Sequence, residues 1–157
     1  MPHNALVLQY SNVATDSCLC SNSRCLDEKN REYNYTTVGQ QGYSVDSGST
    51  GAVELQHWYN STLHDNYVTT ATAVPGYAAV SDSPLGWVLK SKPNDLRPTD
   101  VVELQVWYNA RAEDHLTASN PQRLAWAKTN GYVYVETIGY AYAQPTTMSM
   151  AAMEHDV

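Results

Sequence analysis

Val53–Thr70 reads VELQHWYNSTLHDNYVTT, and Val102–Ser119 reads VELQVWYNARAEDHLTAS. The two stretches keep Val, Glu, Leu, Gln, Trp, Tyr, Asn and a later Asp in register, and Leu55 and Leu104 stand 49 positions apart. A period of tens of residues marks a repeat architecture. Inside each copy the residues alternate as a strand does, with i, i+2 and i+4 on one face. Leu55, His57 and Tyr59, with Leu104, Val106 and Tyr108, form the face expected to be core. Glu54, Gln56 and Trp58, with Glu103, Gln105 and Trp107, form the other, polar except for an indole. An indole among hydrogen-bonding side chains suits a sugar ring, apolar on its C–H face and hydroxylated at its edge. The competing reading is that both Trp side chains cap the end of a barrel and bond through their own N–H groups.

Moving outward, repeat one is expected over residues 5–51, repeat two over 53–100, repeat three over 101–143, and a tail over 144–157. Setting Leu8-Gln9 against Leu55-Gln56 gives a spacing of 47, which puts Val7 at the Glu place and Ser11 at the Trp place. Ser11–Asn30, rich in Ser, Asn and Cys, reads as a long surface loop, and Glu32–Val38 as the echo of Asp65–Thr70. Gly-Tyr pairs at 42, 76 and 131 support three modules. A short strand is expected around Gly86–Leu89 and a turn region over Lys90–Asp100. One helix is expected over Asn120–Asn130, capped by Asn120, with Pro121 in its first turn and Gly131 at its stop. Gly131–Ala143 supplies two β-rich runs with Gly139-Tyr140 between them. Met148, Met150 and Met153 in the tail are candidates for a subunit contact. The expected fold is all-β, three pseudo-repeats in a β-trefoil-like closure, with a three-bladed arrangement or irregular sandwich as the other options.

At 157 residues the chain suits a single domain with its own core. Net charge is −7 with only 9 Lys and Arg, so no basic stripe is available for nucleic acid. No apolar run approaches a membrane span, and the N-terminus lacks the charged and apolar regions of a signal peptide. A mature secreted form and a cytosolic form both fit that pattern. The aromatics are 12 Tyr, 4 Trp and 0 Phe, so every one carries a polar handle, a bias shared with recognition surfaces. Cys18, Cys20 and Cys25 fall short of a four-ligand zinc site. A local disulfide from Cys25 to Cys18 or Cys20 is expected instead, with the third thiol free or paired between chains. Asn34-Tyr35-Thr36 and Asn60-Ser61-Thr62 are glycosylation sequons in a secreted eukaryotic setting.

Each full repeat carries a second polar cluster, Asn60 with Asp65 and Asn66, and Asn109 with Asp114 and His115. Asp65, Asn66, Asp114 and His115 offer the planar donors and acceptors that bind hydroxyls and acetamido groups. Asn60 and Asn109 read better as Asx-type ties for the turn after each WYN strand. No nucleophile elbow, zinc-protease motif or phosphate loop occurs. Glu54 and Glu103 sit at equivalent places of different repeats, which holds them beyond the ~5–9 Å of a glycosidase pair. Glu113, Asp114, His115, His64 and Asp65 show no matched pattern for a divalent ion in both copies. The chain therefore reads as non-enzymatic, without cofactor or metal.

The WYN, DH and T positions, the Gly-Tyr and the closing aromatic run resemble a widespread repeat family reading L-Y-R-x-Y-N…G-D-H-F-Y-T-T…G-Y…E-G-I-G-Y. Leu104–Asn109, Asp114, His115, Thr117, Gly131-Tyr132 and Glu136–Tyr142 carry the match. Asn66 takes the motif His place in repeat two; in repeat one Asn34 does, with Tyr33 at the Asp place. The resemblance implies an extracellular or surface module associated with carbohydrate, and the compact form is similar to a small marine-invertebrate lectin. It implies glycans bearing N-acetylhexosamines as partners and no catalysis. The expected binding residues are Trp58, Trp107, Glu54, Gln56, Glu103, Gln105, Asp65, Asn66, Asp114 and His115. Shallow sugar sites bind weakly alone, so multivalency through two sites or a homo-oligomer is expected. The alternative is a structural or protein-interaction module of the same β-repeat type.

Overall fold

The second WYN stretch forms one long strand, while the first is split between two sheets. In the computed structural model, which describes residues 4–21, 25, 34–80 and 85–145, VVELQVWYN is the continuous strand β9, Val101–Asn109. Its counterpart divides at Leu55 into β4, Ala52–Glu54, and β5, Gln56–Asn60. The Leu55 N–H leaves the ladder for the Gly86 carbonyl at 2.9 Å. The other strands are β1 Ala5–Ser11, β2 Asp16–Cys20, β3 Thr36–Tyr43, β6 Asp65–Thr69, β7 Ala78–Ala79, β8 Trp87–Leu89, β10 Asp114–Ala118 and β11 Val133–Tyr142.

All described pairings are antiparallel. One sheet runs β10-β9-β11-β3-β1-β2, with β8 on β11 and β4 on β8; a second is β6-β5-β7. The fold is mostly β, as expected, in open sheets. Leu6, Leu8, Leu19, Leu55, Val68, Val88, Leu104, Val106 and Leu116 share one core. Of the expected core face Leu55, His57, Leu104 and Val106 are buried, but Tyr59 and Tyr108 are only half-buried, and Trp58 and Trp107 of the opposite face also pack against the core.

The α-helix α1 spans Pro121–Thr129, and Asn120 Oδ1 accepts from Gln122 N and Arg123 N. The cap anticipated in the sequence is the cap formed. Gly131 follows at φ +88°, a left-handed position that favours glycine.

Three expectations are corrected. Ser11–Asn30 is not all loop, because β2 inside it is buried at every position; its small Ser and Cys side chains fit between neighbouring strands. The expected two runs after Gly131 are one bulged strand, β11. Gly139 lies within it because a Cβ there would come 2.6 Å from Val88 Cγ2 and 2.8 Å from the Leu89 carbonyl. Gly139→Ala is therefore expected to cost about 1–3 kcal/mol by overpacking, read as a lower urea midpoint; an unchanged midpoint would show that β8 gives way freely. The third correction concerns repeat one. The hairpin Ser11–Asp16 matches Asn60–Asp65 and Asn109–Asp114 in length, which makes the spacing 49 rather than 47. Ser11 Oγ accepts from Ala14 N at 3.0 Å, as Asn60 Oδ1 does from Leu63 N and Asn109 Oδ1 from Ala112 N. Ser11 thus holds the turn place, and Gln9 the Trp place. The Met148, Met150 and Met153 tail lies outside the described residues.

Candidate functional site

Two polar constellations arise from this frame, one buried and one on the surface. The buried one joins the starts of β2, β6 and β10, where carboxylate oxygens of Asp16, Asp65 and Asp114 lie within 4.8 Å of one another. Asp16 accepts from Asn66 N at 2.9 Å and Asn66 Nδ2 at 2.7 Å. Asp65 accepts from His115 N at 2.9 Å and, since a carboxylate only accepts, from His115 Nδ1–H at 2.6 Å. Asp114 accepts from Ser17 N and Ser17 Oγ, both at 2.8 Å. The ring is closed: each carboxylate binds the residue that follows another member's Asp.

A tyrosine completes each member. Tyr35 donates to Asp16, Tyr77 to Asp65 at 2.5 Å and Tyr132 to Asp114 at 2.5 Å. The residues before these tyrosines, Asn34, Gly76 and Gly131, all have positive φ, as do Thr15, His64 and Glu113 before the aspartates. The Gly-Tyr place of the first module is thus Asn34-Tyr35, not Gly42-Tyr43, and its Asp place is Asp16, not Tyr33. Burial raises the pKa of Asp16 against the lowering effect of Asn66 and Tyr35. Burial, then the Asp16 carboxylate, raises Asp114 well above the usual range.

Asp65, Asn66, Asp114 and His115, expected to meet sugar hydroxyls, are instead spent on this ring. Asp65 and Asp114 are fully buried, Asn66 is 3% exposed, and His115 is stacked on Tyr67 at 3.8 Å. Their oxygens already hold N–H and O–H donors.

The surface constellation lies on β9 and β11. Trp107 Nε1 donates to Gln105 Oε1 at 2.9 Å, and Gln105 Nε2 donates to Glu103 Oε1 at 3.2 Å. Thr137 Oγ1 donates to the same oxygen at 2.5 Å, which assigns Tyr134 OH as donor to Thr137 at 2.8 Å. Tyr134 stands edge-on to Trp107, centroids 5.9 Å apart, and is 51% exposed. One rim of Trp107 packs on the core. Glu103 Oε1 is doubly occupied, and no described residue bonds to its Oε2. The first copy is sparser: Gln56 Nε2 meets Glu54 Oε1 at 3.3 Å, but Trp58 Nε1 turns to the Ala71 carbonyl at 3.1 Å. Trp58 lies between Ala79 of β7 and Tyr67 of β6, so Ala79 stands where Trp107 has the exposed Tyr134.

Sequence reasoning missed Tyr134 and Thr137. Their signal was alternation along YVYVET, but the pairing Tyr134↔Trp107 and Thr137↔Gln105 depends on a register set by bulges. A separate groove of about 580 Å³, bordered by Ser49, Thr50, Ser91, Asp95, Leu96 and Tyr142, contains none of the expected residues. Cys20 and Cys25 form the disulfide, one of the two expected pairings, and the third thiol, Cys18, is buried 3.8 Å from His57 Nε2. Burial rules out its pairing between chains in this state. No family model, curated protein or solved structure matches the chain.

Proposed function

We propose that this protein is a non-catalytic carbohydrate-binding protein whose main site is the Glu103–Gln105–Trp107–Tyr134–Thr137 surface. The observation that carries the reading is the hydrogen-bonded chain from the Trp107 N–H to the Tyr134 hydroxyl. It fixes two aromatic rings and orients the carboxylate, amide and hydroxyls between them before any ligand arrives. Preorganised groups of this kind limit the ordering cost of binding. Glu103 Oε2 would accept from a sugar hydroxyl or from the N–H of an acetamido group, which favours N-acetylated hexosamines. Trp107 and Tyr134 would offer C–H surface to the ring.

Glu54, Gln56 and Trp58 would form a weaker second site. Two sites per chain, or a homo-oligomer, would raise avidity for glycans. We read the 49-residue recurrence of hairpin and Asp, with one Tyr bonded to each Asp, as three β-trefoil-like repeats of the resembled family. The clustered carboxylates, Asp16, Asp65 and Asp114, are sealed in the interior, which favours binding over hydrolysis. The Cys20–Cys25 disulfide favours a secreted or extracellular setting.

Tyr134→Ala and Glu103→Gln act on exposed side chains, so their melting temperatures should stay close to the parent. Each is expected to weaken N-acetylglucosamine or N-acetylgalactosamine binding by ~tenfold, the weight of about 1.4 kcal/mol, by titration calorimetry. Undiminished sugar binding in both variants would remove the site from this surface. The second reading, a protein-interaction module, is favoured by the exposure of Val133 and Val135 beside Tyr134. It predicts that a glycan array stays blank while Val133→Glu abolishes self-association.

A further inference from the structure

Arg123 stands apart from both constellations. Its main-chain N–H caps onto Asn120 at 3.2 Å, and its side chain crosses Trp126, with Cζ 3.5 Å from the ring centroid and 4.9 Å from that of Tyr10. Tyr10 and Trp126 meet edge to face at 5.3 Å, which closes an aromatic cradle around the guanidinium. Cation–π contact holds the group but supplies no hydrogen-bond acceptor. Nε and Nη2 are buried and take no acceptor. Among the described residues no acceptor bonds Nη1 either, and no carboxylate forms an ion pair with Arg123; the Asp114 charge reaches it only through space. Nε and Nη2 are sealed from solvent, so an occupant of a neighbouring cavity meets the guanidinium at Nη1.

Beside this guanidinium lies a cavity of about 190 Å³ lined by Val38, Gln41, Asn120, Gln122, Arg123 and Trp126. Gln41 Oε1 is held by the N–H groups of Ser119 and Asn120, each at 2.9 Å. Asn120 Oδ1 takes the free N–H groups at the start of α1. The helix terminus is therefore already capped, and the charge offered to the cavity is that of Arg123. Nη1 is the guanidinium nitrogen that is neither bonded nor among those sealed from solvent. Removal from water also lowers the Arg123 pKa, a cost that a nearby anion would offset.

We propose that this cavity binds the carboxylate of a small organic acid, with Arg123 Nη1 as its charged donor and the Gln122 amide at its rim. With Nη1 as the accessible nitrogen, a carboxylate oxygen would take a single charge-assisted hydrogen bond there. A phosphate dianion would call for more positive charge than one arginine in a chain of net charge −7 provides. The volume is below the ~300 Å³ of common drug-sized pockets, which suits a single acid or one acidic sugar rather than an oligosaccharide. This site shares no residue with the surface proposed for neutral sugars and stands or falls separately.

The test is titration of the full chain at low ionic strength with D-glucuronate, acetate and the uncharged D-glucuronamide, followed by NMR. Glucuronate or acetate is expected to bind, glucuronamide is not, and the shift changes should centre on the Trp126 indole and the Gln122 amide. Binding of glucuronate alone would define an acidic-sugar site, and binding of acetate as well a general carboxylate site. Arg123→Gln should weaken binding by ~tenfold or more, as expected for loss of a charge-assisted hydrogen bond. The idea is overturned if glucuronamide binds as well as glucuronate, if neither acid binds, or if a folded Arg123→Gln variant binds as before. Should that variant unfold, the shift map on the parent decides: changes centred on Trp107 and Tyr134 would also overturn it.

Discussion

Asp114→Ala is expected to remove about 3–5 kcal/mol of folding free energy, because each buried donor left without an acceptor costs ~1–3 kcal/mol. Three donors converge on that carboxylate: Ser17 N–H, Ser17 O–H and Tyr132 O–H. The two hydroxyls can turn, but the Ser17 N–H is fixed in β2, and β2 is buried along its whole length. The opposing effect is relief of repulsion from Asp16, whose carboxylate raises the Asp114 pKa. We expect loss of acceptors to win, since it also unties β10 from β2, strands distant in sequence that the ring joins directly. A domain of ordinary stability, ~5–15 kcal/mol, would be brought near its unfolding threshold. Asp114→Asn separates the two effects, because it keeps a carbonyl for the Ser17 N–H and discards the charge. Its loss should be much smaller. Denaturant unfolding reads both variants; a loss below ~1 kcal/mol for Asp114→Ala, the net value of one ordinary hydrogen bond, would show that the ring is not what holds the hairpins together.

How much of this could be read from the sequence depends on how local the cause is. The α1 cap needs only Asn120 and its next three residues, and it formed as expected. The core face of β9 follows from alternation alone, and Leu104 and Val106 are fully buried. Asn60 and Asn109 tie their own turns, a contact within three residues. The ring failed to show for the opposite reason: Asp16 sits in a Ser- and Cys-rich stretch, and its partner Asn66 is 50 residues away. An aspartate repeated beside a polar neighbour looks the same whether it faces a ligand or another aspartate. Register was the missing fact. Aligning strands by Leu8 gave 47, whereas aligning the hairpin turns gives 49 and places Asp16 with Asp65 and Asp114. The candidate surface was half legible, since Glu103, Gln105 and Trp107 lie along one strand, while Tyr134 and Thr137 arrive through two bulges in β11.

The same ring sets an unusual pH dependence. Burial is the leading cause that raises Asp16 and Asp114 above the ordinary carboxylate range. In the unfolded chain these groups titrate near the reference value of ~3.9. Below that value both states hold the proton and the stabilising contribution is complete. As pH rises, the unfolded chain ionises first, so the native state binds more protons and stability falls with pH. The loss runs from the ordinary carboxylate range up through the raised native pKa values. Each group can contribute a slope of at most ~1.4 kcal/mol per pH unit. Protonation is sterically possible because Tyr35 at Asp16, and Ser17 Oγ or Tyr132 at Asp114, can turn from donor to acceptor. Burial first, then the adjacent Asp, also raises Tyr35 and Tyr132, and burial first raises Tyr77. Above the reference tyrosine value of ~10 the unfolded chain again releases protons first, so the sign is the same. Melting temperature should therefore be higher at pH ~4.5 than at pH ~7.5, with a further fall beyond pH ~10. Asp114→Asn should shrink the acid limb to the share of Asp16 and also reduce the Tyr132 share of the alkaline limb, since the Asp114 charge, after burial, helps to raise that hydroxyl. A melting temperature that climbs steadily from the acid to the neutral end would mean that the hydrogen bonds to the carboxylates outweigh their burial.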